Sequence, residues 1–81
     1  MQVRVRLGAG LNRLAAAPLL IVALPDGATV GDLLGHLRDT QPDLAPALRA
    51  ALPVVAGEHV RGDHHLADRQ EVALLLPVSG G

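Results

Sequence analysis

A chain of 81 residues with no Phe, Tyr, Trp or Cys has to close its core with aliphatic side chains alone. No disulfide, thiolate metal site or cysteine nucleophile is open to it. The length holds one domain, near the size at which a single core barely outweighs chain entropy, so little sequence can be spared for an elaborate catalytic pocket. Apolar residues nevertheless make up 49% of the chain, which excludes a disordered one. Everything then depends on how Leu, Val, Ile and Ala are spaced.

From Gln2 to Leu7, the apolar Val3, Val5 and Leu7 alternate with Gln2, Arg4 and Arg6, the period of a half-buried strand. Gly8 and Gly10 mark a bend, and 11–17 reads as a loop or weak helical turn. Leu19 to Leu24 is a second strand; its unbroken apolar character predicts cover on both faces. Pro25-Asp26-Gly27 closes it with turn chemistry. Thr29 then caps a helix, Asp32 completes a short-armed capping box, and Val30, Leu33, Leu34 and Leu37 share one helical face up to the stop at Pro42. A short second helical piece covers Asp43 to Leu52. Val54-Val55 and His59-Val60 flank Gly57-Glu58 as a hairpin, and Glu71 to Leu76 forms a last, central strand ended by Pro77. The expected architecture is α+β: one mixed sheet of about five strands with one main helix packed across it, the domain spanning 1–76 and a flexible tail 77–81.

Seven Arg, no Lys and eight acidic residues leave a formal charge of −1. There is neither a basic footprint nor a stacking platform for nucleic acid. The apolar run Leu14 to Leu24 behind Arg4 and Arg6 imitates a targeting segment, but Pro18 interrupts it and the alternation ahead of it belongs to a strand. The run is too short to span a bilayer, and a cytoplasmic location is expected. His36, His59, His64 and His65 read as solvated residues without a metal-ligand spacing, and no bound metal is expected. Asp63, Asp68 and Glu71 fit turns and an exposed strand start better than acid–base catalysis.

The informative segment is Pro77-Val78-Ser79-Gly80-Gly81. At ordinary glycine usage two terminal glycines arise by chance roughly once in 200 chains. Five extended residues reach about 15 Å. Two residues without Cβ thread a narrow channel, and a terminal glycine carboxylate has nothing beside it to block an attacking group. Such a carboxylate becomes an electrophile once ATP converts it to an acyl-adenylate, and a sulfide equivalent displacing AMP leaves a thiocarboxylate. Nothing in the chain binds ATP by itself, since Gly8-Ala9-Gly10 lacks the length and the Lys-Ser/Thr of a P-loop. The expected role is that of a carrier, not of an enzyme acting alone, with ATP and Mg supplied at an activating partner.

The stretches Gly57-Glu58-His59-Val60, Asp63-His64, Leu66-Ala67-Asp68 and Glu71-Val72-Ala73 through Pro77-Val78-Ser79-Gly80-Gly81 resemble the ubiquitin-like sulfur carriers of the MoaD/ThiS family. The Pro-Val-Ser-Gly-Gly ending is most similar to its molybdopterin-synthase branch. That resemblance implies a β-grasp fold, Gly81 as the adenylated and then thiocarboxylated residue, and Gly80 as its threading neighbour. It further implies loading by a MoeB/ThiF-type adenylating enzyme and docking on a MoaE-like molybdopterin synthase large subunit in a heterotetramer. Leu7 and Leu75 stand where the family often carries aromatics. With Pro77, Val78 and Ser79 they are the expected partner-binding residues. Three rivals remain open: a sulfur carrier for cysteine or another thiolated metabolite, a ubiquitin-like modifier joined through Gly81 to target lysines, and a passive interaction module with an incidental tail. Lacking Lys, the chain cannot build isopeptide chains on itself.

Overall fold

The computed structural model describes residues 1–8, 11 and 18–77. The order is β1 (Gln2–Leu7), β2 (Leu19–Ala23), α1 (Val30–Thr40), a 3-10 turn (Pro42–Leu44), α2 (Ala45–Leu48), β3 (Leu52–Val55), β4 (Glu58–His59) and β5 (Glu71–Leu75). The strands form one five-stranded sheet in the order β2-β1-β5-β3-β4. β1 and β5 are parallel at its centre, and the other neighbours are antiparallel. Helix α1 lies across one face.

The parity of the strands decides the core. Val3, Val5 and Leu7 of β1, Val22 of β2, Val55 of β3 and Val72 and Leu74 of β5 point to the helix side, where they meet Val30, Leu33 and Leu37 of α1 and Leu44 and Leu48 of the segment after it. Every one of these is an aliphatic residue, as the composition requires. Fully burying each stabilises the fold by about 1.5–3 kcal/mol.

Helix α1 starts as the sequence predicts. Thr29 Oγ1 accepts from the Asp32 N–H at 3.2 Å, and Asp32 Oδ2 accepts from the Thr29 N–H at 2.9 Å. The next two donors are satisfied by the 61–66 loop: the N–H of Val30 reaches the His64 carbonyl (2.9 Å) and that of Gly31 the Gly62 carbonyl (2.8 Å). The loop is thereby sewn to the helix start, so the helix is held to the sheet at the end where β5 begins its approach.

Four sequence expectations change. β2 is an edge strand with Ile21 58% exposed, so its apolar run marks one open face and not double cover. The second helical piece ends at Leu48, and Leu52 opens β3. Pro53 is tolerated there because its missing donor faces the side where β4 has already ended; its carbonyl still accepts from the Val60 N–H at 3.0 Å. The β3–β4 turn is Ala56-Gly57, both at positive φ (52° and 81°), instead of Gly57-Glu58. The last strand ends at Leu75, one residue earlier than expected. Of the predicted 11–17 loop only Leu11 is among the described residues, and it is fully buried.

Candidate functional site

The burial of β5 alternates along its length, with Val72 and Leu74 in the core and Glu71, Ala73 and Leu75 on the face of the sheet opposite α1. Register fixes what surrounds them. Leu75 lies directly across from Leu52, and Ala73 from Val54 on one side and Arg6 on the other. Leu52 and Leu75 are 38% and 41% exposed; Val54 and Ala73 are half-buried between them and the rest of the face. The result is a small apolar patch at the end of the sheet where β5 runs into Leu76 and Pro77, the base of the tail.

Gly8 completes the patch. Its N–H donates to the Leu74 carbonyl at 2.9 Å, continuing the parallel ladder, and its missing side chain leaves room for the Leu75 methyl groups. Beyond the patch Arg6 Nη2 meets Glu71 Oε1 at 3.0 Å, both side chains largely solvated. Such an exposed pair contributes little to stability, but it gives the open face a polar border beside its apolar end.

The expected partner residues separate. Leu75 and Pro77 are exposed at this end of the sheet, whereas Leu7 is 4% exposed and part of the core. The placement of Leu7 on a docking surface is corrected by its parity: it shares the inward face with Val3 and Val5 and lies in register with the buried Leu74. Val78, Ser79, Gly80 and Gly81 lie outside the described residues. The structure adds Leu52, Gly8 and Arg6 to this end and border of the open face. For Leu52 the signal was its place two residues before Val54, which puts both on one face of a strand.

The polar candidates serve the fold. Asp68 Oδ1 accepts the Gln2 N–H at 2.8 Å, Glu71 pairs with Arg6, and the Nδ1 of exposed His65 donates to the Gly27 carbonyl at 2.9 Å. Among the described residues no group of three or more His, Cys, Asp or Glu is placed to hold a metal ion, and no helix is long and apolar enough to cross a membrane. Among the described residues the site presents a surface of Leu52, Val54, Ala73 and Leu75 bordered by Arg6 and Glu71.

A mixed five-stranded sheet with its first and last strands parallel at the centre, crossed by a helix on one face, is the ubiquitin-like β-grasp fold. The family model described as the ThiS family matches residues 6–81, and the chain belongs to that family of ubiquitin-like sulfur carriers. Small archaeal modifier protein 1 from Haloferax volcanii is 28% identical, with 100% of each chain covered and a TM-score of 0.89. A Pyrococcus furiosus protein assigned as molybdopterin converting factor, subunit 1, is 25% identical over 95% of this chain and 98% of its own, with a TM-score of 0.85. The complex of subunits 1 and 2 of molybdopterin-converting factor from Helicobacter pylori is similar in fold at 20% identity, 100% coverage of both chains and a TM-score of 0.76. No curated protein matched the sequence.

Proposed function

We propose that this chain carries sulfur on Gly81 for molybdopterin synthesis, as the small, sulfur-donating subunit of a molybdopterin synthase in the cytoplasm. The observation that carries the reading is the family match, which runs through the tail to Gly81, on a domain whose exposed Leu52 and Leu75 stand at the base of that tail. Likeness to the Pyrococcus protein over nearly its full length supports this branch of the family.

In the proposed cycle a MoeB/ThiF-type partner holds ATP and Mg. A carboxylate oxygen of Gly81 attacks the α-phosphorus and pyrophosphate leaves, giving the acyl-adenylate. A sulfide equivalent then adds to the carbonyl carbon and AMP departs with the bonding pair, leaving the thiocarboxylate. A MoaE-like large subunit receives the tail and supplies the catalytic side chains in a heterotetramer. This chain contributes reach, a carboxyl carbon open to attack, and the Leu52–Leu75 patch as the contact that registers the tail in each partner.

The equal coverage and 28% identity to an archaeal modifier protein favour a second reading, in which Gly81 is joined to lysines of other proteins. Intact-mass analysis of the protein from its native cell separates the two. A species heavier by the replacement of one oxygen with sulfur supports the carrier, and adducts with other proteins support the modifier. Deletion of Gly81 is expected to abolish function with the fold unchanged; complementation of a carrier-null strain by that deletion would overturn both.

A further inference from the structure

The two edges of the sheet are treated differently. At one edge β4 is only two residues long and presents Glu58 and His59, both exposed, which are the usual devices against edge-to-edge pairing. At the other edge β2 runs five residues, Leu19–Ala23, without a charge or a proline. No described strand covers it.

The ladder to β1 shows which backbone groups of β2 are free to pair. The N–H of Leu7 donates to the Pro18 carbonyl and that of Leu24 to the Met1 carbonyl. In an antiparallel pair bonded residues alternate, so the even-numbered residues of β2 bond β1, and Leu19, Ile21 and Ala23 turn their N–H and C=O groups outward. Those three residues are symmetric about Ile21. The same residues place their side chains on the open face, where Ile21 is 58% exposed.

We infer that β2 pairs with β2 of a second copy of this chain, antiparallel and centred on Ile21. A two-fold axis there sets Ile21 against Ile21 of the partner copy and Leu19 against its Ala23. The pairing forms about six ladder bonds and covers the most exposed large apolar side chain of the described residues. Arg4 lies opposite Ile21 in each copy and Arg69 borders the same cleft as Ile21. Three strand spacings set the two Arg4 backbones about 14 Å apart, and repulsion between these exposed groups is screened at physiological ionic strength. A heterologous strand would need no such symmetry, whereas a second copy satisfies it without any further residue. The Leu52–Leu75 patch lies across the sheet from this edge, and antiparallel pairing sends the two β5 strands in opposite directions. Both carboxyl ends therefore stay accessible at opposite ends of one continuous sheet.

Sedimentation velocity on the full-length protein, from about 10 μM to about 1 mM, is the test, with Ile21→Lys and Leu52→Lys compared as folded variants by circular dichroism. The expected result is a concentration-dependent dimer that Ile21→Lys weakens at least tenfold and Leu52→Lys leaves unchanged. Hydrogen exchange at the Leu19, Ile21 and Ala23 amides should slow as concentration rises. A monomer across the whole range overturns the inference. So does a dimer indifferent to Ile21→Lys, or one lost with Leu52→Lys.

Discussion

A Cβ built on Gly8 would stand 2.7 Å from Leu75 Cδ2 and 3.1 Å from the Leu74 carbonyl oxygen. The first of these neighbours is the tip of a flexible side chain, which can swing away; the second is backbone, which must give by a few tenths of an ångström. Gly8→Ala is therefore expected to lower stability by less than about 1 kcal/mol while displacing the Leu75 methyl groups. Methyl NMR and denaturant unfolding read the two effects separately. Partner affinity should fall with the displacement, and unchanged Leu75 methyl shifts would show that Gly8 does not shape the patch.

Adjacent leucines of β5 should respond in opposite ways. Leu74 is fully buried, and Leu74→Ala is expected to cost about 2–5 kcal/mol. Leu75→Asp should leave circular dichroism and the unfolding midpoint near wild type, yet break binding to the proposed large subunit by placing an unpaired charge in a desolvated contact. A folded Leu75→Asp that binds with unchanged affinity removes the patch from the docking surface.

Gly80→Val tests the threading step. Terminal residues seldom take part in a core, so global stability is expected not to change. A β-branched side chain restricts φ and widens the thread, and the loaded fraction measured by intact mass should drop sharply. Unaltered adenylation kinetics would exclude a narrow channel in the activating partner.

Ala56 carries the cost of the β3–β4 turn. Its φ of 52° puts a Cβ in the left-handed region, where Asn or Gly is easier to accommodate. Ala56→Asn should raise stability by about 0.5–1 kcal/mol, read from the urea midpoint at unchanged m-value. In the opposite direction, Thr29→Ala removes the side-chain half of the capping box and should cost about 1 kcal/mol.

Much of this fold is legible where two independent signals agree. The α1 start has both a capping pair and a 3.6-residue apolar period, and it appears where they place it. β1 has alternation stopped by Gly8, and β5 has apolar density between the Asp68-Arg69 turn and Pro77. β2 offered only an apolar run, and such a run does not distinguish a strand covered on two faces from an edge strand with one open face; the covering partners come from distant sequence. Leu7 is the opposite case. Its parity with Val3 and Val5 sets it inward, and the surface aromatics of the family are no guide to a residue on that parity. The turn at Ala56-Gly57 was displaced by one residue because alanine carries no turn preference, and only the strand register reveals it. Leu52 was hidden by a helical pattern that continued past the real helix end.

The central position of β5 has a mechanical consequence. The chain leaves that strand toward Pro77, so a partner that grips the carboxyl end pulls along an axis clamped on one side by β1 and on the other by β3. Sliding β5 out loads both ladders together, in shear, so that the bonds share the force. A pull on β2 or β4 would instead peel an edge bond by bond. A pull on the carboxyl end is thus resisted along the direction in which two ladders share the load.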